Sequence, residues 1–218
     1  MGLHEWLLKR NEKYEVTPEL HSWLEVYRDE STAAAASHAE RLFLNTPKAY
    51  RAIAPSGTIG LLAGTTQGIE PLYATAFKRR YLRNQEWAYQ YIVDPTAKHI
   101  IDTTGCRPDS IDTAYSLAAD PERRIKFQAD IQHYVDMGIS STINLPPWGS
   151  DLNNETTARQ LAKTIAAYCP NLRGITVYPD GAISGQPLEE VDYYEAIKHE
   201  GVIYEENDSA CKSGVCGI

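Results

Sequence analysis

The chain of 218 residues has no run of 18 consecutive apolar residues, and its most apolar stretch, around Ile59–Ala63, is interrupted by glycine. A membrane-spanning helix is therefore not expected. Basic charge is scarce: 21 Lys and Arg face 29 Asp and Glu, a formal net charge of −8. That balance argues against a protein that coats DNA or an anionic membrane. Four cysteines are too few for a disulfide-stapled scaffold. The opening residues, Met1–Trp6, lack the basic stretch and apolar core of a secretion signal, so a cytoplasmic protein is the default expectation. Several catalytic signatures are also missing. There is no dinucleotide-binding or Walker glycine pattern, no paired-histidine zinc helix and no serine nucleophile elbow. The six histidines show no ligand spacing, which disfavours metal catalysis. No repeat or low-complexity linker divides the chain. What is present is an average globular composition, 43% hydrophobic and 23% charged, ample for a buried core.

Local patterns predict the elements. A short amphipathic stretch over Leu3–Leu8 precedes a helix that starts at Pro18, with Thr17 as N-cap and Leu20, Trp23, Leu24 and Tyr27 on one stripe. An alanine-rich stretch, Thr32–Leu44, follows with high helix propensity and ends at Thr46-Pro47. Ala52–Ala54 reads as the end of a buried strand, Pro55–Thr58 as a turn, and Ile59 onward as a helix start. Lys78–Tyr81 is a small basic cluster of the kind that forms a solvated face. The stretch Asp94–Asp120 is mixed and turn-rich. Pro121–Met137 reads as a long amphipathic helix with Ile125, Ala129, Ile131, Tyr134 and Val135 toward the core. Ile139–Leu145 is β-rich and is stopped by Pro146-Pro147. Asn154 caps a further helix, Glu155–Tyr168, and Gly174–Tyr178 is a strand followed by the turn Pro179–Gly181. Helices alternating with strands in this way imply α/β construction with parallel strands.

Two features carry chemistry. In the first, small residues at Pro55–Gly60 let backbone N–H groups approach an anion, Ser56 and Thr58 add hydroxyl donors, and the following helix start adds partial positive charge. The same residues also suit a purely structural strand-to-helix turn, and both readings stand. The second is the pair Cys211 and Cys216 in the last eight residues, with Ser213-Gly214 permitting a tight turn between them. Two such thiols can close on each other, and a chain end can carry the dithiol between two places, as thiol–disulfide exchange requires. The other reading is two thiols in a frayed tail. Zinc is disfavoured, because one cysteine pair supplies half a tetrahedral site and the tail has no histidine. Cys106 and Cys169 have no neighbouring partner in sequence and read as ordinary thiols. Glu70, Asp130 and Asp136 are isolated carboxylates, more often capping or surface groups than acid–base catalysts.

The runs Ala54–Gly60, Ala63–Pro71 and Phe77–Tyr81 together resemble the large catalytic subunit of ribonucleotide reductases. Ile139–Pro146, Gly174–Gly181 and the closing Cys-Lys-Ser-Gly-Val-Cys agree with it in the same order. The opening Gly2–Leu8 and the stretch Tyr14–Leu24 look like the adenosylcobalamin-dependent, class II branch. The resemblance implies the C-terminal part of a ten-stranded α/β barrel over residues 1–200, with a flexible redox tail over 201–218. It implies that Pro55, Ser56, Gly57, Thr58 and Ile59 bind the phosphates of a ribonucleoside di- or triphosphate. Cys211 and Cys216 would re-reduce an active-site disulfide and then be reduced by thioredoxin or glutaredoxin.

Adenosylcobalamin is the implied cofactor. Family members served by a separate radical subunit carry adjacent tyrosines on the strand matching Thr176–Tyr178, whereas here Val177 precedes Tyr178. The family's thiyl-radical loop, Asn-x-Cys-x-Glu, has no counterpart in this sequence. The expectation is therefore a C-terminal segment that needs an N-terminal reductase fragment carrying the radical cysteine. The alternatives are a non-catalytic phosphate-binding remnant and a class I-type large-subunit fragment.

Overall fold

The computed structural model describes residues 1–182 and 185–205. Helix α1 (Leu3–Leu8) leads into α2 (Pro18–Arg41), which begins where the Thr17-Pro18 signal places it: Thr17 Oγ1 accepts the Leu20 N–H at 3.2 Å. The alanine-rich stretch continues this helix instead of forming a second one. A short extended segment, 51–54, then leads through a loop into α3 (Gly57–Ala63). A hairpin of β1 (Ala76–Arg83) and β2 (Glu86–Val93) follows, then α4 (Pro95–Thr104), α5 (Ala114–Leu117) and α6 (Pro121–Gln132). The chain closes with β3 (Thr142–Leu145), α7 (Glu155–Tyr168), β4 (Thr176–Pro179), β5 (Leu188–Glu190), α8 (Tyr193–His199) and β6 (Ile203–Glu205).

The parallel strands expected from the helix–strand alternation are present. β3 pairs with β4 in parallel, from Thr142 opposite Thr176 to Leu145 opposite Pro179. On the other side of the same array, Ile53 bridges Ile139 in parallel, through Ile53 N–H to Gly138 O at 3.2 Å and Ser140 N–H to Ile53 O at 2.8 Å. Strand alternation turns Ile143, Leu145 and Val177 toward α6 and α7, where they pack with Ile125, Leu161 and Ile165. Asn144 and Tyr178 therefore point to the opposite face, so Val177 and Tyr178 do not share a side.

A second sheet was not expected. β5, β1, β2 and β6 form a four-stranded antiparallel sheet in that order, with α8 packed on β1 and β2 through Ala76, Val93, Tyr193 and Ala196. The basic run Lys78–Arg80 lies on β1, where Lys78 sits over the Tyr89 ring and Arg80 over Trp87. Asp94 starts α4 within the stretch read as turn-rich, its carboxylate accepting from Thr96 N and Ala97 N. β6 lies within the stretch assigned to the tail. Tyr204 stacks on Tyr89 with 5.1 Å between centroids and its hydroxyl lies 2.6 Å from His199 Nδ1. α6 is five residues shorter than its periodicity suggests, because Gln132 Nε2 donates to both Val135 O and Met137 O and folds the chain into a turn. Tyr134 and Val135 are nevertheless buried as expected.

The main core gathers Leu7, Tyr14, Leu20, Ile69, Phe127, Ile131 and Ile139 between α1, α2, α6 and the start of the parallel array. His4 is fully buried beside it, its Nδ1 accepting the Leu72 N–H at 3.0 Å. Burial pushes this imidazole down from 6.5 to about 3. No described helix is long and apolar enough to cross a membrane.

His4 makes the fold acid-sensitive. The unfolded chain takes up a proton at this ring below pH 6.5, whereas the folded chain does so only near pH 3. Stability from this group is thus complete above 6.5 and is lost progressively as pH falls toward 3, at up to about 1.4 kcal/mol per pH unit. The substitution His4→Asn keeps an acceptor for Leu72 N–H and removes the titration. Urea unfolding of the variant across the upper part of that interval should show a pH slope shallower by about that amount; an unchanged slope would rule the role out.

Candidate functional site

The loop at Pro55 and Ser56 leaves the carboxyl end of segment 51–54, the end of a parallel array at which α/β proteins place their ligand sites, and α3 begins at Gly57, two residues earlier than the sequence suggests. The segment is held firmly from below. Arg51 is buried; its Nη1 donates to Arg28 O, Ser31 Oγ and Thr32 Oγ1 of α2 at 2.8–2.9 Å, and its Nη2 to Asp136 Oδ1 at 2.8 Å. Asp136 also accepts from the Tyr50 and Arg51 amides at 3.2 Å. Some desolvation raises the Asp136 pKa, but the amides and the guanidinium outweigh it and hold the carboxyl below its ordinary value. The isolated carboxylate of the sequence is thus a structural tie between α2, the strand and the turn after α6.

Above this anchor the loop takes an uncommon shape. Ser56 sits in the left-handed region at φ 50°, a conformation uncommon for a non-glycine residue. The first bond of α3 runs from Gly60 N–H to Ser56 O at 2.7 Å, so the amides of Gly57, Thr58 and Ile59 come before it and have no acceptor inside the helix. Thr58 and Ile59 are exposed. Ser56 Oγ accepts the Gly68 N–H at 3.1 Å, which orients the side chain and leaves its own O–H available to donate. The structure thus brings the five predicted residues Pro55, Ser56, Gly57, Thr58 and Ile59 together on one strand–loop–helix corner. Cys211 and Cys216 lie outside the described residues.

The segment after α3 braces this corner. A Cβ on Gly60 would come within 2.9 Å of Gln67 Cγ, and Gly68, at φ 47°, passes so close to Ile53 and Ala54 that a Cβ would meet them at 3.2–3.3 Å. Gln67 to Glu70 then closes as a turn through Glu70 N–H to Gln67 O at 2.7 Å. Glu70 Oε1 accepts Thr142 N–H at 2.7 Å, and Oε2 pairs with the guanidinium of Arg124, which is almost wholly buried in α6. Arg124 Nη2 also donates to Thr142 O at 2.7 Å and to Ser141 Oγ at 3.3 Å. Sequence reasoning had set Glu70 aside and did not name Arg124. The available signal was its helical spacing: Arg124 and Gln128 are one turn apart and adjoin Ile125 and Ala129, residues assigned to the core.

Beside the loop lies an open, largely apolar cleft of about 490 Å³, walled by Trp23, Leu24 and Tyr27 of α2 and by Ile53 and Ala54, with Ser56 on its rim. Among the described residues no three His, Cys, Asp or Glu side chains are grouped so as to hold a metal ion. Cys106 and Cys169 are free thiols.

Comparison with known proteins agrees with this architecture. Residues 48–178 match the family described as the ribonucleotide reductase barrel domain. A vitamin B12-dependent ribonucleoside-diphosphate reductase of Mycobacterium tuberculosis (strain CDC 1551 / Oshkosh) is 33% identical over 154 residues, covering 62% of this chain and 21% of its own. The enzyme of the same description from Thermoplasma acidophilum is 29% identical over 198 residues, 75% of this chain and 25% of its own. The chain therefore spans about a quarter or less of the length of these relatives. In three dimensions, the crystal structure of a B12-dependent (class II) ribonucleotide reductase superposes with a TM-score of 0.68 over 90% of this chain and 31% of that one, at 16% identity. The parallel array around residues 53, 139–145 and 176–179 is thus part of that barrel, and only part of it is present. On the match over residues 48–178, this chain belongs to the ribonucleotide reductase barrel-domain family.

Proposed function

We propose that the chain is the C-terminal segment of a ribonucleotide reductase, supplying substrate phosphate binding and the reducing dithiol for conversion of ribonucleotides to deoxyribonucleotides. The observation that carries this reading is the corner at residues 55–59. Three first-turn amides without helical acceptors and the Ser56 hydroxyl lie at the carboxyl end of segment 51–54, which bridges the parallel array at Ile53. Main-chain donors of this kind suit the oxygens of a di- or triphosphate, and a net charge of −8 elsewhere means that the local donors, not the overall field, must hold the anion.

In this reading residues 1–200 are the barrel body and 201–218 the redox arm, with Ile203–Glu205 laid on the sheet as β6. A thiolate of the Cys211–Cys216 pair attacks an active-site disulfide and forms a mixed disulfide. The second thiol resolves it, leaving the active site as a dithiol and the arm oxidised. Thioredoxin or glutaredoxin returns the arm to the dithiol. The radical cysteine comes from an N-terminal reductase chain, and the protein works in the cytoplasm.

Adenosylcobalamin is the cofactor of the assembled enzyme in this proposal, since Val177 stands before Tyr178 where a tyrosine pair would be needed to relay a radical from a second subunit, and the relatives above are named as vitamin B12-dependent. The described residues do not fit it on their own. The cleft beside the loop is open and mainly apolar, about 490 Å³, whereas a corrin with its rim of amides needs a larger and more polar enclosure.

Two measurements test the reading. Calorimetric titration of the chain with a ribonucleoside diphosphate and, separately, a triphosphate should show binding. Ser56→Asp, which sets a carboxylate among the donors, should weaken it by about tenfold or more; equal affinity would remove the loop from the site. In a thioredoxin-coupled assay, the oxidised chain should consume reductant in proportion to its Cys211–Cys216 disulfide, and Cys211→Ser or Cys216→Ser should abolish this. Thiols inert to thioredoxin would favour the binding remnant instead.

A further inference from the structure

The Ser56 hydroxyl is oriented by a single hydrogen bond, from Gly68 N–H, and Gly68 belongs to a turn whose far end is Glu70. Each end of that turn is tied to a different part of the barrel. At Gly68 the backbone is pressed against Ile53 and Ala54, the residues that lead into the loop. At Ile69 the carbonyl accepts the buried Tyr14 hydroxyl at 2.5 Å. At Glu70 one carboxylate oxygen is held by the Thr142 amide at the start of β3 and the other by Arg124 of α6, which also grips Thr142 O. The connection from α6 to Ser56 is therefore continuous: guanidinium, carboxylate, turn, amide, hydroxyl.

We infer that Glu70 and Arg124 are positioning residues for the phosphate loop, a role that rests on the phosphate reading above and extends it to two residues outside the loop. A mainly structural pair would be an inefficient use of a buried charge. Arg124 keeps Nε and Nη1 without hydrogen-bond partners among the described residues, and replacing such a pair by apolar groups is often neutral or stabilising. What the carboxylate does that an apolar group cannot is to lock the register of the Gln67–Glu70 turn against β3. That register sets where Gly68 N–H points, and hence the direction of the Ser56 O–H and of the three first-turn amides.

The test separates stability from anion binding in the full 218-residue chain, with inorganic pyrophosphate as the probe. Glu70→Gln alone leaves Arg124 buried and uncompensated, so it should lower the melting temperature strongly. Adding Arg124→Met removes that charge and should bring the melting temperature back toward the unaltered protein. Pyrophosphate affinity should stay weaker by about tenfold, and amide exchange at Ser56–Thr58 should stay faster. Glu70→Asp provides the second arm: it keeps the charge opposite Arg124 but draws the carboxylate back from Thr142 N–H. It should melt close to the unaltered protein and still lose about fivefold or more in affinity. If either the recovered double variant or Glu70→Asp binds pyrophosphate as tightly as the unaltered chain, the pair is structural only. If the unaltered chain does not bind pyrophosphate, the phosphate reading fails and this role fails with it.

Discussion

Arg124 carries a full positive charge inside the packed body, and a guanidinium there is tolerable only if its partners come to it. They come from two places. Glu70 arrives from the segment after α3, and Thr142 O and Ser141 Oγ from the start of β3. Because the ion pair must close, the turn before Glu70 cannot sit elsewhere, and because that turn is packed on Ile53 and Ala54, neither can the strand end that leads into the loop. The parallel array, the helix layer behind it and the corner at residues 55–59 thus share one electrostatic requirement.

A second buried arginine repeats the arrangement at the other end of segment 51–54. Arg51 joins α2 to the turn after α6 through Asp136, so segment 51–54 is pinned below by one guanidinium and, through the Gln67–Glu70 turn, above by the other. With both ends fixed, the left-handed Ser56 can be maintained at a solvent-facing position, where local propensity alone would not keep it. The amides of Gly57, Thr58 and Ile59 are thereby held in place; under the phosphate reading proposed above, such pre-arrangement lowers the entropy cost of binding.

Much of this was legible in the sequence where a signal is local. Thr17-Pro18 announces α2, Asn154 announces α7, and the proline pair after Leu145 ends β3; each acts through backbone groups only a few residues away. The corner at 55–59 was legible for the same reason, since it depends on small residues adjacent in sequence. The antiparallel sheet was not. Lys78, Arg79 and Arg80 look like a solvated charge cluster until Tyr89 and Trp87 are brought across the hairpin to lie beneath two of them. β5 and β6 are three residues each, too short for a period-two pattern.

The sequence by itself determined the α/β character, the parallel strands at 139–145 and 176–178, the glycine-rich corner and the family resemblance, because all of these are written in spacings along the chain. Tertiary structure decided which charges are buried and what they hold. Glu70 is 54 positions from Arg124 and 72 from Thr142, and Arg51 is 85 from Asp136. No periodicity joins residues so far apart. Their pairing follows only once the strands are laid side by side, and then the desolvation cost of an unpaired charge leaves little alternative.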